Sequence, residues 1–148
     1  MKRFTIFVLD DDKTFCSLLL CLAERDDFIY SIEGYELILT VFDNMQALDA
    51  AVAYIEQNKP DMVLLDYFLG DGGCVASLEI LEKIVRCCMV STDVRIVSGM
   101  HPEDIRLKLA KRVIVPMGMG IIQKPFSIEG LIKVIRRSIR KKKNVQHS

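Results

Sequence analysis

The chain has no run of about 18 or more uncharged apolar residues, so no membrane-spanning helix is expected. The opening Met1-Lys2-Arg3 and the apolar stretch after it imitate a leader. Asp10 breaks that stretch too early, however, and no small-residue cleavage site follows, so no signal peptide is expected. The 5 cysteines form no C-x-x-C pair and have no histidine nearby, which argues against a cysteine metal site. Reduced, mostly packed thiols in a cytoplasmic protein are the expectation. No G-x-x-x-x-G-K-S/T loop is present, which excludes the usual phosphate cradle of nucleotide hydrolases. Internal repeats, low-complexity segments and interdomain linkers are also missing. No acidic residue follows Glu129.

What is there describes one globular domain. Of its 148 residues, 51% are hydrophobic and 27% charged. A domain of that length buries roughly 68–70% of its extended surface. The net charge of zero is unevenly divided: the last 19 residues carry +7 and the first 129 carry −7. Residues 1–140 are expected to form the domain and 141–148 a basic tail. The tail would tolerate an anionic partner, but with no helix-turn-helix after it no direct nucleic-acid contact is expected.

Apolar runs of strand length alternate with helical periodicity. The runs are Phe4 to Leu9, Glu36 to Phe42, Asp61 to Asp66, Val94 to Gly99 and Gly118 to Gln123. The helices are expected at about 13–25, from Asp43 or Asn44 to Asn58, at 75–89, at 102–112, and from a cap at Ser127. Their inward stripes are Phe15, Leu18, Leu19 and Leu22; Leu48, Ala51, Val52 and Ile55; Leu78, Leu81 and Val85; Ile105, Leu109 and Val113; and Ile128, Leu131, Ile132, Ile135 and Ile139. Strict alternation predicts an α/β fold, a flavodoxin-like doubly wound (βα)5 three-layer sandwich. Its parallel five-stranded sheet would run in the order 2-1-3-4-5.

Parallel strands end on one edge, where ligands of such sheets bind. Asp10 and Asp11 end the first strand, Asp66 the third, Ser98 the fourth and Lys124 the fifth. Strands one and three are neighbours in that order, so the three aspartates should cluster. Three carboxylates so placed raise one another's pKa unless a cation lies among them. Hard oxygen donors with room for phosphate oxygens suit Mg²⁺. One carboxylate could then attack a phosphoryl group while the ion and a lysine neutralise its oxygens.

Val8-Leu9-Asp10-Asp11-Asp12, Val63-Leu64-Leu65-Asp66, Ile96-Val97-Ser98-Gly99 and Gln123-Lys124-Pro125-Phe126, in that order, resemble the receiver domains of two-component response regulators. The resemblance implies a phosphorelay protein, not a turnover enzyme. Asp66 would accept a phosphoryl group from a histidine kinase, a phosphotransfer protein or a small acyl phosphate. Asp10, Asp11, Asp66 and the backbone carbonyl of Phe68 would hold Mg²⁺. Ser98 would close on the phosphate and Lys124 pair with it. The Lys124–Pro125 bond would be cis. A downstream protein would bind the face made by helix four, strand five and helix five. Three departures stand out: Ile121 replaces the family's switch aromatic, Gly70 replaces a loop proline, and the Asp26–Gly34 connection is long.

Simpler roles compete for the same residues. Asp10, Asp11 or Asp12 could cap the first helix, a role left here to Asp12. Ser98 before Gly99 is also ordinary turn chemistry. His101 reads as an exposed residue opening helix four, and Met100, Met117 and Met119 as packing. Asp10-Asp11-Asp12-Lys13-Thr14 also fits the D-x-D-x-T signature of haloacid-dehalogenase-like phosphatases, with Asp10 as nucleophile. That family needs a later acidic pair, which is absent after Glu129. A receiver-like binding module that takes no phosphate is the third reading.

Overall fold

Side chains of neighbouring residues on a strand point to opposite faces, so a strand apolar at every position must be covered on both. Met62-Val63-Leu64-Leu65 meets that condition: all four side chains are buried. In the computed structural model, which describes residues 2–24, 32–69, 74–88, 92–111 and 120–146, this strand is the centre of a parallel sheet. The elements are β1 (Lys2–Leu9), α1 (Lys13–Ala23), β2 (Tyr35–Phe42), α2 (Met45–Asn58), β3 (Met62–Asp66), α3 (Val75–Cys88), β4 (Asp93–Ser98), α4 (Pro102–Leu109), β5 (Gly120–Gln123) and α5 (Ile128–Gln146). Strand order is β2-β1-β3-β4-β5, all pairs parallel, so the doubly wound sandwich is the fold.

The alternation sorts two cores. Phe7, Leu9, Val63, Leu65 and Ile96 face one side and pack with Ala51 and Ile55 of α2, Leu81 and Ile84 of α3, and Ile105 and Leu109 of α4. Phe4, Ile6, Val8, Leu64 and Val97 face the other, against Cys16 and Leu19 of α1 and Leu131, Ile135 and Ile139 of α5. The helical stripes are corrected in two places. Leu18 is 55% exposed and Ile128 is 40% exposed, because each sits at the margin of its helix's buried face rather than on it. Cys16 takes the inward place on α1. The cysteines also pack less than expected: Cys16 is buried and Cys74 half-buried, while Cys21 and Cys87 sit on solvent faces. The side chains of Leu22 and Leu48 and all of Val113 lie outside the described residues.

The lower rim of the sheet is braced. Asp61 accepts from the Thr5 amide at 2.8 Å and the Thr5 hydroxyl at 3.1 Å, and returns its own N–H to that hydroxyl at 3.0 Å. Lys142 donates to the other Asp61 oxygen. Arg140 and Lys143 pair with Glu33 at 2.9 and 3.3 Å, and these cations hold the Glu33 carboxyl below its usual pKa. α5 continues past residue 140 to Gln146, and Arg140, Lys142 and Lys143 near its end pair with acids of the domain. No helix among the described residues is long and apolar enough to cross a membrane.

The burial of α5 sets a simple comparison. Ile135→Ala should cost about 2–5 kcal/mol, because Ile135 is 1% exposed and leaves a cavity. Ile128→Ala on the same helix should cost less than about 1 kcal/mol. Urea midpoints of the two variants give the answer; equal losses would contradict the helix orientation.

Candidate functional site

Strand register decides which side chains meet. Leu9 pairs with Leu65, so Asp10 and Asp66 extend from adjacent strands at the same height. Asp66 pairs with Val97 and Ser98 with Gln123, so Ser98 and Lys124 complete the row. The backbone ladder continues past the strand ends and anchors each of them. The Asp10 amide donates to Phe42 at 3.1 Å, the Tyr67 amide to Val97 at 2.9 Å, and the Lys124 amide to Ser98 at 2.7 Å.

Carboxylate oxygens of Asp10, Asp11 and Asp66 lie within 4.8 Å of one another. Asp10 and Asp66 are buried and Asp11 is exposed. Lys124 Nζ donates to Asp10 Oδ2 at 2.7 Å and lies 4.0 Å from Asp66 Oδ2. The remaining oxygens are met by backbone: Asp12 N–H on Asp10 Oδ1 at 2.9 Å and Phe68 N–H on Asp66 Oδ1 at 3.2 Å. The buried Ser98 Oγ accepts from the Met100 amide at 3.1 Å. Asp12 caps α1, accepting from the Phe15 amide at 3.1 Å, as its position after the strand suggests. The Lys124–Pro125 peptide is cis.

Burial and the neighbouring Asp10 charge push the Asp66 carboxyl from 3.8 up to about 7, against the opposing pull of Lys124 and the Phe68 N–H. One ammonium thus cannot neutralise this row of acids. The donor set fits a small hard cation. Mg²⁺ takes hard oxygen donors, and Asp10, Asp11 and Asp66 could each offer it a carboxylate oxygen. Cys16 lies just beneath, its Sγ 3.2 Å from the Asp10 carbonyl. Burial, then the charges of Asp10, Asp43 and Asp12, push its thiol up to about 12, which leaves it inert as a nucleophile.

The structure brings Asp10, Asp11, Asp66, Ser98 and Lys124 to one edge, as the strand ends require. His101 is exposed and caps α4, accepting from the Glu103 amide at 3.2 Å. Ile121 is half-buried against the core on the α2–α3–α4 side. Gly70, Met117 and Met119 lie outside the described residues, as does most of the 26–34 connection. Phe15 packs against the core on the α1–α5 side, as its stripe on α1 implies, and its ring also lies 4.4 Å from the Lys124 ammonium, a contact that spacing does not give. Its place in the first turn of the helix that follows the aspartates was the available signal.

No family model matches the chain. Solved structures do. NtrX from Brucella abortus is 26% identical with a TM-score of 0.67 over 97% of this chain, which spans 28% of NtrX. Chemotaxis protein CheY4 from Vibrio cholerae superposes with a TM-score of 0.65 at 14% identity, covering 92% of this chain and 98% of that one. The receiver domain of a sensor histidine kinase from Pseudomonas aeruginosa, with a magnesium ion coordinated in its active-site cleft, gives 0.64 at 16% identity, covering 92% of this chain and 97% of that domain. With its strand order, its row of acids at the carboxyl edge and these neighbours, the chain has the fold of the response-regulator receiver domains.

Proposed function

We propose that the protein is a phosphoacceptor signalling domain, in which Asp66 takes a phosphoryl group from a histidine kinase, a phosphotransfer protein or a small acyl phosphate. The observation that carries this reading is the meeting of three carboxylates within 4.8 Å beside one lysine. Asp10, Asp11, Asp66 and the backbone carbonyl of Phe68 would hold Mg²⁺. Bound there, the ion would neutralise the carboxylates and the oxygens of the transferred group.

Asp66 suits the nucleophile's part. Lys124 Nζ stands 4.0 Å from its Oδ2, whereas the two oxygens of Asp10 accept from Lys124 and from the Asp12 amide. An Asp66 oxygen attacks phosphorus; the bond from phosphorus to the donor's nitrogen or oxygen breaks, and its electron pair leaves with the donor. Lys124 moves from Asp10 to a phosphoryl oxygen. Ser98 Oγ, which accepts from Met100 in the resting state, rotates to donate to another. The shift of the 98–100 segment passes to α4 and β5, and so to the partner face. Leu107, 68% exposed on α4, gives that face an apolar contact for a downstream protein.

Incubation with acetyl phosphate and Mg²⁺ should add the mass of one phosphoryl group to the intact protein. Asp66→Asn should abolish the gain, and Lys124→Ala should slow it by at least tenfold. Label on Asp10 would instead favour the haloacid-dehalogenase-like reading. Mg²⁺ binding without any label would favour a receiver-like binding module.

The raised Asp66 carboxyl also makes stability depend on pH. A folded-state pKa of about 7 against 3.8 means that the folded protein holds this proton more tightly than the unfolded chain. Its contribution is therefore complete below the lower value and is lost as pH rises through about 7. With chelator present, the urea midpoint should fall across that window. Asp66→Asn should flatten the profile, and Mg²⁺ should restore the midpoint at the alkaline end.

A further inference from the structure

The Lys124 ammonium meets both anions and an aromatic ring. Asp10 Oδ2 is at 2.7 Å, Asp66 Oδ2 at 4.0 Å, and the centre of the Phe15 ring at 4.4 Å. Such a distance over a ring face lies well inside cation–π range, and an aromatic face attracts an ammonium without hydrogen-bonding to it. The ring is itself held. Its amide is bonded to the cap Asp12, and Phe126 packs edge-on against it at 5.4 Å and 87°. Phe126 lies two residues beyond Lys124, so a single segment carries both the cation and the clamp on its platform.

Phe15, Lys124, Pro125 and Phe126 also line a cleft of about 410 Å³ between α1 and α5. The cleft opens beside the ring, so the packing around Lys124 does not by itself fix the ammonium. Something must hold the ammonium over the carboxylates once Asp10 no longer does.

We propose that Phe15 is a positioning residue that keeps the Lys124 ammonium over the acidic row while its anionic partners change. The inference rests on the phosphoacceptor reading and adds a part to it. Were Asp10 to turn to a bound cation, the lysine would lose its 2.7 Å partner before a phosphoryl oxygen arrived. The ring is the one neighbour whose charge and place stay constant through that exchange. It confines the side chain near Asp66 Oδ2, so less freedom is lost when the new ion pair forms. Leucine at this position would keep the bulk and lose the quadrupole.

The test compares Phe15→Leu and Phe15→Tyr with the wild-type full-length chain, each with and without Lys124→Ala. Phosphorylation by acetyl phosphate at saturating Mg²⁺ should slow roughly 3- to 30-fold in Phe15→Leu and recover in Phe15→Tyr. In the Lys124→Ala background the leucine substitution should add nothing, since the two residues act together. A second readout needs no phosphate: the Lys124 ε-methylene protons should show an upfield ring-current shift by NMR in the wild type and the tyrosine variant, lost in the leucine variant. An unshifted wild-type lysine, or an equal loss with and without Lys124, would overturn the proposal. If the wild type takes no label, the phosphoacceptor reading falls while the methylene shifts still decide the platform. If Phe15→Leu fails to fold, the wild-type shift and its retention in Phe15→Tyr decide it.

Discussion

Repulsion among like charges, held in check by one ammonium, is the constraint around which the upper edge is built. Asp10 and Asp66 are both buried on neighbouring strands, and the sheet register gives them no freedom to separate. Lys124 is tied by its backbone to Ser98 and by its side chain to Asp10, so it spans the row from the far side of β4. Burial first and the Asp10 charge second still raise the Asp66 carboxyl against the pull of Lys124. A site kept short of positive charge attracts more of it, a need that a divalent ion would meet under the phosphoacceptor reading.

The rest of the domain serves to hold that row rigid. Two apolar layers clamp the sheet, and the candidate site residues lie at or just beyond the ends of its strands. Because the backbone ladder continues to Asp10, Tyr67 and Lys124, the reactive side chains extend from ordered main chain, not from free loop. Ser77 adds to this from below, its hydroxyl donating to the carbonyl of Tyr67, next to Asp66. Chemistry of this kind depends on position more than on any single strong group.

Much of this was legible in the order of residues. The run Met62 to Asp66 could only be a strand covered on both sides. Once five such runs alternated with helices, the meeting of Asp10, Asp66, Ser98 and Lys124 followed from parallel pairing. Helical periodicity was less informative at the margins. Phe15, Leu18 and Leu19 have the spacing of one stripe, but a stripe does not say where the neighbouring helix ends. Leu18 therefore lies in water and Phe15 under a lysine. The basic residues at the chain's end were opaque for another reason: their acidic partners, Asp61 and Glu33, lie more than 80 positions away in sequence. Only the folded sheet brings them together.

That lower brace changes what α5 can do. The 19-residue helix starts just beyond Lys124, Pro125 and Phe126, and its far end is tied to Asp61 and Glu33 on the opposite rim. A rod moored at its far end does not slide; it pivots about that mooring. A tug on the lysine at one rim would be levered against charged moorings at the other. Ionic strength, which loosens such moorings, would then set how stiffly the rod answers.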